Sequence, residues 1–127
     1  MHYSHFANIL AEGGWYEFDL AAREGAQQLR VISRKKLLDA GAKHSRIVAV
    51  LDAWYRTAKT AKWSNLEDVR KTYPHADGVP VEDRVYTVFN IAGNGFRLIA
   101  EIYYEDQVLL VRHVLTHAEY DKGDWKI

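Results

Sequence analysis

Residues 116–122 read THAEYDK and follow directly on the apolar run VLLVRHVL. They place a histidine, a glutamate, a tyrosine, an aspartate and a lysine within seven positions, more chemistry than a strand end needs. Histidine titrates near neutral pH, so His117 can give or take a proton without a large shift. Tyr120, three residues on, shares its face if the chain coils into a turn. Arginines hold phosphates and neutralise charge developing on them. Arg97 and Arg112 lie in the two preceding apolar runs, and Lys122 adds a further cation. Metal-free RNA cleavage asks for such a set: a 2′-hydroxyl must lose a proton, a 5′-oxygen must gain one, and the pentacoordinate phosphate needs cations. The plainer alternative is that His117 and Tyr120 merely pack the end of the strand. A His-x-x-Tyr pair alone does not displace it.

Other motifs carry less. The glycines of GNG, 93–95, lack the third glycine and the following helix of a phosphate loop, so they read as a hairpin turn. His113 and His117 are four apart, a spacing for a helix, but His113 sits in a strand-like run. With no cysteine in the chain, thiolate metal sites and disulfides are excluded. Neither a metal nor a cofactor is expected.

The 127 residues favour one domain, and 48% hydrophobic with 13% aromatic content can build a real core. Net charge is zero but uneven. Residues 1–29 hold Glu12, Glu17, Asp19 and Glu24 against Arg23 alone, −3, which leaves +3 on the remainder. That balance permits a nucleic-acid partner without demanding one. No apolar run approaches the ~20 residues of a membrane span. The first residues lack the basic start and apolar stretch of a signal peptide. The expectation is a cytoplasmic protein with no membrane partner.

The elements that must position the cluster are legible in outline. RVIS, 30–33, reads as a short strand. Ser33 is placed to cap a helix that ends near Gly41, and Ser45 to cap a longer one. The longer one carries Ile47, Leu51, Trp54 and Ala58 at helical spacing, with Arg46, Arg56, Lys59 and Lys62 off that stripe. SNLE, 64–67, is a capping-box pattern before a short helix that stops ahead of Pro74. PHADGVPVED is expected to be loop. Three strands follow: 84–91, 96–104 and 108–115, the first pair joined at Asn94-Gly95. Helices followed by an antiparallel meander predict an α+β domain, with helices on one face of the sheet.

A two-residue turn at Glu105-Asp106 sets Ile99 opposite Arg112 and Arg97 opposite Val114. Arg97, Glu101 and Arg112 then share one face, and Leu98, Ala100, Ile102, Leu109 and Val111 the apolar one. A three-residue turn would bury Arg112 among apolar groups, at a high desolvation cost.

Residues 30–127 resemble the HigB toxins of bacterial type II toxin–antitoxin systems, in the wider RelE-like group. The likeness runs through RVISRKKL, AWYRTAKTAKW, VFNIAGNGFRLIAEIYY and VRHVLTHAEYDK, about three quarters of the chain. It implies a small RelE-like α+β domain of about four mainly antiparallel strands, with RVIS joining the later three. Residues 1–29 are then an added arm. The activity implied is that of an mRNA interferase, a metal-free endoribonuclease cutting mRNA in the ribosomal A site and inhibiting translation. The implied partner is a HigA-like antitoxin with a helix-turn-helix domain, through which alone DNA would be met. Residue by residue, Arg97 in RLIA falls where such toxins place a phosphate-binding arginine. His117 falls where they place a group working on the scissile phosphate, and Tyr120 where some use a tyrosine beside it. Arg112 and Lys122 come from charge and geometry. Lys35, Lys36, Lys59 and Lys62 could touch ribosomal RNA or be solvated helix faces. Two rival readings stay open: a non-catalytic RelE-like module that binds ribosome or antitoxin, and a nuclease acting on free RNA.

Overall fold

The computed structural model describes residues 28–126. The expected arm lies almost wholly outside them. Leu29 is already a core residue, 2% exposed, and its N–H donates to the Ala61 carbonyl.

A short strand β1, Arg30–Ile32, leads into helix α1, Arg34–Lys43. A 3-10 turn over Ser45–Ile47 opens helix α2, Val48–Lys59, and helix α3 spans Leu66–Thr72. Four strands follow: β2 Asp77–Val81, β3 Arg84–Ile91, β4 Phe96–Tyr103 and β5 Val108–Thr116. The chain then coils into helix α4, His117–Lys122, and a 3-10 turn over Asp124–Lys126. Among the described residues no helix is long and apolar enough to cross a membrane.

The sheet order is β1-β5-β4-β3-β2. β1 runs parallel to β5, and every other pair is antiparallel. The class is the expected α+β one, with five strands rather than about four. The extra strand is β2, in the segment expected to be loop. It pairs with β3 through a tight turn at Glu82-Asp83. Pro80 lacks a ladder donor, and it is tolerated because β2 is an edge strand.

Period-2 alternation puts Phe89, Leu98, Ala100, Leu109 and Val111 on one face. There they meet Leu37 of α1, Leu51, Trp54 and Ala58 of α2, and Val69 of α3. The apolar face expected from the register is this core. The opposite face carries two small clusters, Ile32, Val108 and Leu110, and Val88, Ile99 and Trp125. The second is covered by α4 and the turn after it, so the helices are not all on one side.

Next to the β4–β5 turn the register is as expected, with Ala100 opposite Val111. A bulge between Ile99 and Ala100 then shifts it by one, so that Ile99 faces His113 and Arg97 faces Leu115. The extra residue is Arg112. A bulge lets two successive side chains leave the same face, so Arg112 stays off the apolar side, as the charge argument required, by a different route.

The caps depart from expectation in detail. Ser33 occupies the N-cap of α1 but its side chain makes no capping hydrogen bond, and the helix passes Gly41 to reach Lys43. Ser45 starts the 3-10 turn rather than capping α2. For α3 the cap is Asn65, whose side chain accepts from the Asp68 N–H, one residue after the expected Ser64.

Candidate active site at the sheet tip

The sequence around the strand end is organised by α4. Thr116 caps it and accepts from the Glu119 N–H at 3.1 Å, while the Glu119 carboxylate accepts from the Thr116 N–H at 2.9 Å. Those bonds, the Thr116 backbone donor first, hold the Glu119 carboxyl below the ordinary range. A carboxyl depressed by folding stabilises above its unfolded pKa, and that share disappears as pH falls through the folded value. Thr116→Ala removes a cap and is expected to cost about 1 kcal/mol in urea unfolding. The difference from wild type should shrink under acid, where Glu119 loses its charge in both proteins.

Helical geometry brings residues three and four apart onto one face. Tyr120 therefore lies on the next turn from His117, as expected, and Asp121 lies beside the imidazole. His117 Nε2 is 3.0 Å from an Asp121 carboxylate oxygen, and His117 is 45% exposed. Its backbone N–H donates to the Gly95 carbonyl at 2.9 Å, tying the helix start to the β3–β4 turn. Nδ1 is buried with no hydrogen-bond partner.

Arg97 comes from β4, next to that turn. Its guanidinium carbon lies 5.6 Å from the centre of the Tyr120 ring. Its Nη2 donates to the Asn94 side-chain oxygen at 2.7 Å. Behind, Tyr120 stacks on Trp125 at 5.2 Å, and the Trp125 indole donates to the Tyr120 carbonyl. Burial, then the Asp77 charge, pushes the Tyr120 phenol above its ordinary value. The phenol therefore stays protonated through the neutral range.

The structure thus brings His117, Tyr120 and Arg97 together at one end of the sheet. Lys122 is on the last turn of α4, exposed, with its ammonium 4.0 Å from Asp124. Arg112 is five positions back along β5, roughly 15 Å at strand rise. Its Nε lies 3.4 Å from the buried Glu101 carboxylate, which also holds Arg84 at 3.5 Å. Lys59 and Lys62 are not brought to the tip. Lys59 ends α2 and Lys62 lies just past it, where Ala61 meets Leu29, near the start of β5, and nine strand residues separate that end from His117, roughly 30 Å.

Three residues at the tip escaped the sequence reading. Asp121 was visible at i+4 from His117, but the segment was read as a turn rather than a helix. Asn94, read only as a turn former, orients Arg97. Arg46 was noted only as a residue off the α2 stripe. Its guanidinium lies over the Phe96 ring at 4.9 Å, and a Cβ on Gly95 would meet it at 3.1 Å. It is a second cation beside the turn that anchors His117.

An open five-stranded sheet with three helices on one face, α4 on the other, and a cation–tyrosine–histidine tip define a small RelE-like toxin domain. Residues 48–123 match the family described as HigB_toxin, RelE-like toxic component of a toxin-antitoxin system. The mRNA interferase HigB of Escherichia coli O6:H1 is 30% identical over 94 residues, 74% of this chain and 90% of that protein. The mRNA interferase toxin HigB of Escherichia coli strain K12 is 32% identical over 93 residues, 73% of this chain and 88% of that one. The chain belongs to the HigB toxin family. It is the toxic component of a toxin–antitoxin system and an endoribonuclease, with an antitoxin as its partner.

Proposed function

We propose that this toxin cuts mRNA in the ribosomal A site by metal-free transesterification, and so stops translation. The observation that carries the reading is the Arg97 guanidinium over the Tyr120 ring, with His117 on the same short helix and fixed to the same hairpin. Those three side chains supply what the reaction needs. The 2′-oxygen attacks phosphorus, and its proton passes to the His117 imidazole. The bond from phosphorus to the 5′-oxygen breaks, and the Tyr120 hydroxyl protonates the leaving oxygen. Arg97 neutralises the phosphorane, a stabilisation that favours the transition state over the ground state. Arg112 and Lys122 lie on the flanks as contacts for neighbouring phosphates. Lys59 and Lys62, at the far end, have room only for a remote RNA contact.

The proposed neutralising partner is a HigA-like antitoxin with a helix-turn-helix domain, and the proposed setting is the cytoplasm. Residues 30–127 are proposed as the toxin domain. The test is cleavage of mRNA on programmed ribosomes, with naked mRNA alongside and both product ends identified. The expected result is cutting on ribosomes only, leaving a 2′,3′-cyclic phosphate and a 5′-hydroxyl. Cutting of naked RNA at the same rate would remove the ribosome from the proposal. Binding to the ribosome without any cut would leave a non-catalytic module.

A further inference from the structure

The outer surface of the α1–α2 layer is not a finished surface. Leu38 is 61% exposed and Val48 51%. With Leu37, Gly41 and Tyr55 they line a trough of about 360 Å³ between the two helices. A cavity of ~150 Å³ takes one benzene ring, so the trough has room for about two side chains of that size. It lies across the sheet from the Tyr120–Trp125 cluster and plays no part in the site.

Three observations select an occupant. The first is position. Arg34, at the start of α1, and Tyr55, on α2, form one end of the trough, and the described chain begins beside it, where Leu29 bonds to Ala61 just past α2. The second is charge. At that end the Arg34 guanidinium lies 4.6 Å and the Lys59 ammonium 5.4 Å from the Tyr55 ring centre, and neither has a carboxylate partner among the described residues. Residues 1–27, which lead into that end, carry −3. The third is pattern. Phe6, Ile9 and Leu10 stand at i, i+3 and i+4, the anchor spacing of a helix laid in an apolar groove. The trough is bounded by α1, ten residues and so roughly 15 Å long, well within reach of a 27-residue tether.

We infer that residues 1–27 seat in the α1–α2 trough of their own chain, with Phe6, Ile9 and Leu10 against its apolar lining and the segment's acidic residues, among them Glu12 and Glu24, toward Arg34 and Lys59. Seating covers Leu38 and Val48. It also occupies Lys59, which then contacts no RNA while the segment is docked.

Amide hydrogen exchange on the full chain tests this. Seated, residues 6–10 and the α1–α2 helices exchange at least about ten times slower than after the segment is released. The double variant Leu38→Asp, Val48→Asp alters two exposed positions, so the fold should survive, and α4 and β5 report whether it has. It should return residues 6–10 to the rate of a free peptide, as should Phe6→Ser with Ile9→Ser. Arg34→Glu should weaken protection in part, and more so at low salt. Free-peptide exchange of residues 6–10 in the intact chain would overturn the proposal. Protection that survives both double variants would do so too. Protection that rises with protein concentration would assign the trough to a second copy and overturn seating within one chain.

Discussion

Alanine at position 117 is expected to lower single-turnover cleavage on programmed ribosomes by about 10²–10⁴, the usual share of a positioned acid or base. Little of that loss should come from the fold. The backbone N–H that reaches the Gly95 carbonyl remains in the variant. The side chain is nearly half exposed, and its pairing with Asp121 is at the surface, where such contacts contribute little. Urea unfolding should therefore move by under about 1 kcal/mol. His117→Gln keeps a polar side chain but has no imidazole to take up a proton, and it should be nearly as slow. A variant that cuts within a few-fold of wild type would take His117 out of the chemistry and leave it as packing at the helix start.

The largest expected effect on stability is Trp54→Ala, about 3–5 kcal/mol. Trp54 is 2% exposed and sets its edge against Phe89 at 5.3 Å, between α2 and the sheet. Whole domains are stable by about 5–15 kcal/mol, so the variant should sit near the limit of folding at 37 °C. Far-UV circular dichroism in urea measures it. Trp54→Phe should cost much less. It keeps most of the apolar contact and retires an indole N–H that is buried without a hydrogen-bond partner, a group expensive to leave unpaired. An alanine variant as stable as wild type would show that α2 does not organise the core.

What the sequence disclosed follows from how local each signal is. Strands β3, β4 and β5 were legible because alternation and the Asn94-Gly95 turn are local. So was the stripe of Leu51, Trp54 and Ala58. β2 was hidden because Pro80 and Gly78 argue against a strand, and only its place at the sheet edge excuses them. The bulge at Arg112 was hidden because nothing in VLLVRHVL marks an extra residue. Its purpose was legible: a guanidinium had to leave the apolar face. At the site, His117, Tyr120 and Arg97 stood out through side-chain type and family resemblance. Asp121 did not, although Thr116 and Glu119 spell the capping box that makes the segment helical. Lys59 and Lys62 were grouped with the site on charge, and which end of the sheet they occupy is settled by the pairing of β1 with β5.

That parallel pairing also sets the order in which the domain can come into being. β5 lies between β1 and β4, yet it is the last strand in the sequence. Until it exists, β1 has no ladder partner, and closing the long loop between them costs chain entropy before the contacts repay it. During synthesis the earlier elements leave the ribosome first, with a gap where β5 must insert. His117 and Tyr120 follow that strand, so they are made after every strand of the sheet. A nascent chain therefore cannot assemble Arg97 with His117 and Tyr120 until β5 has been made and has closed the sheet.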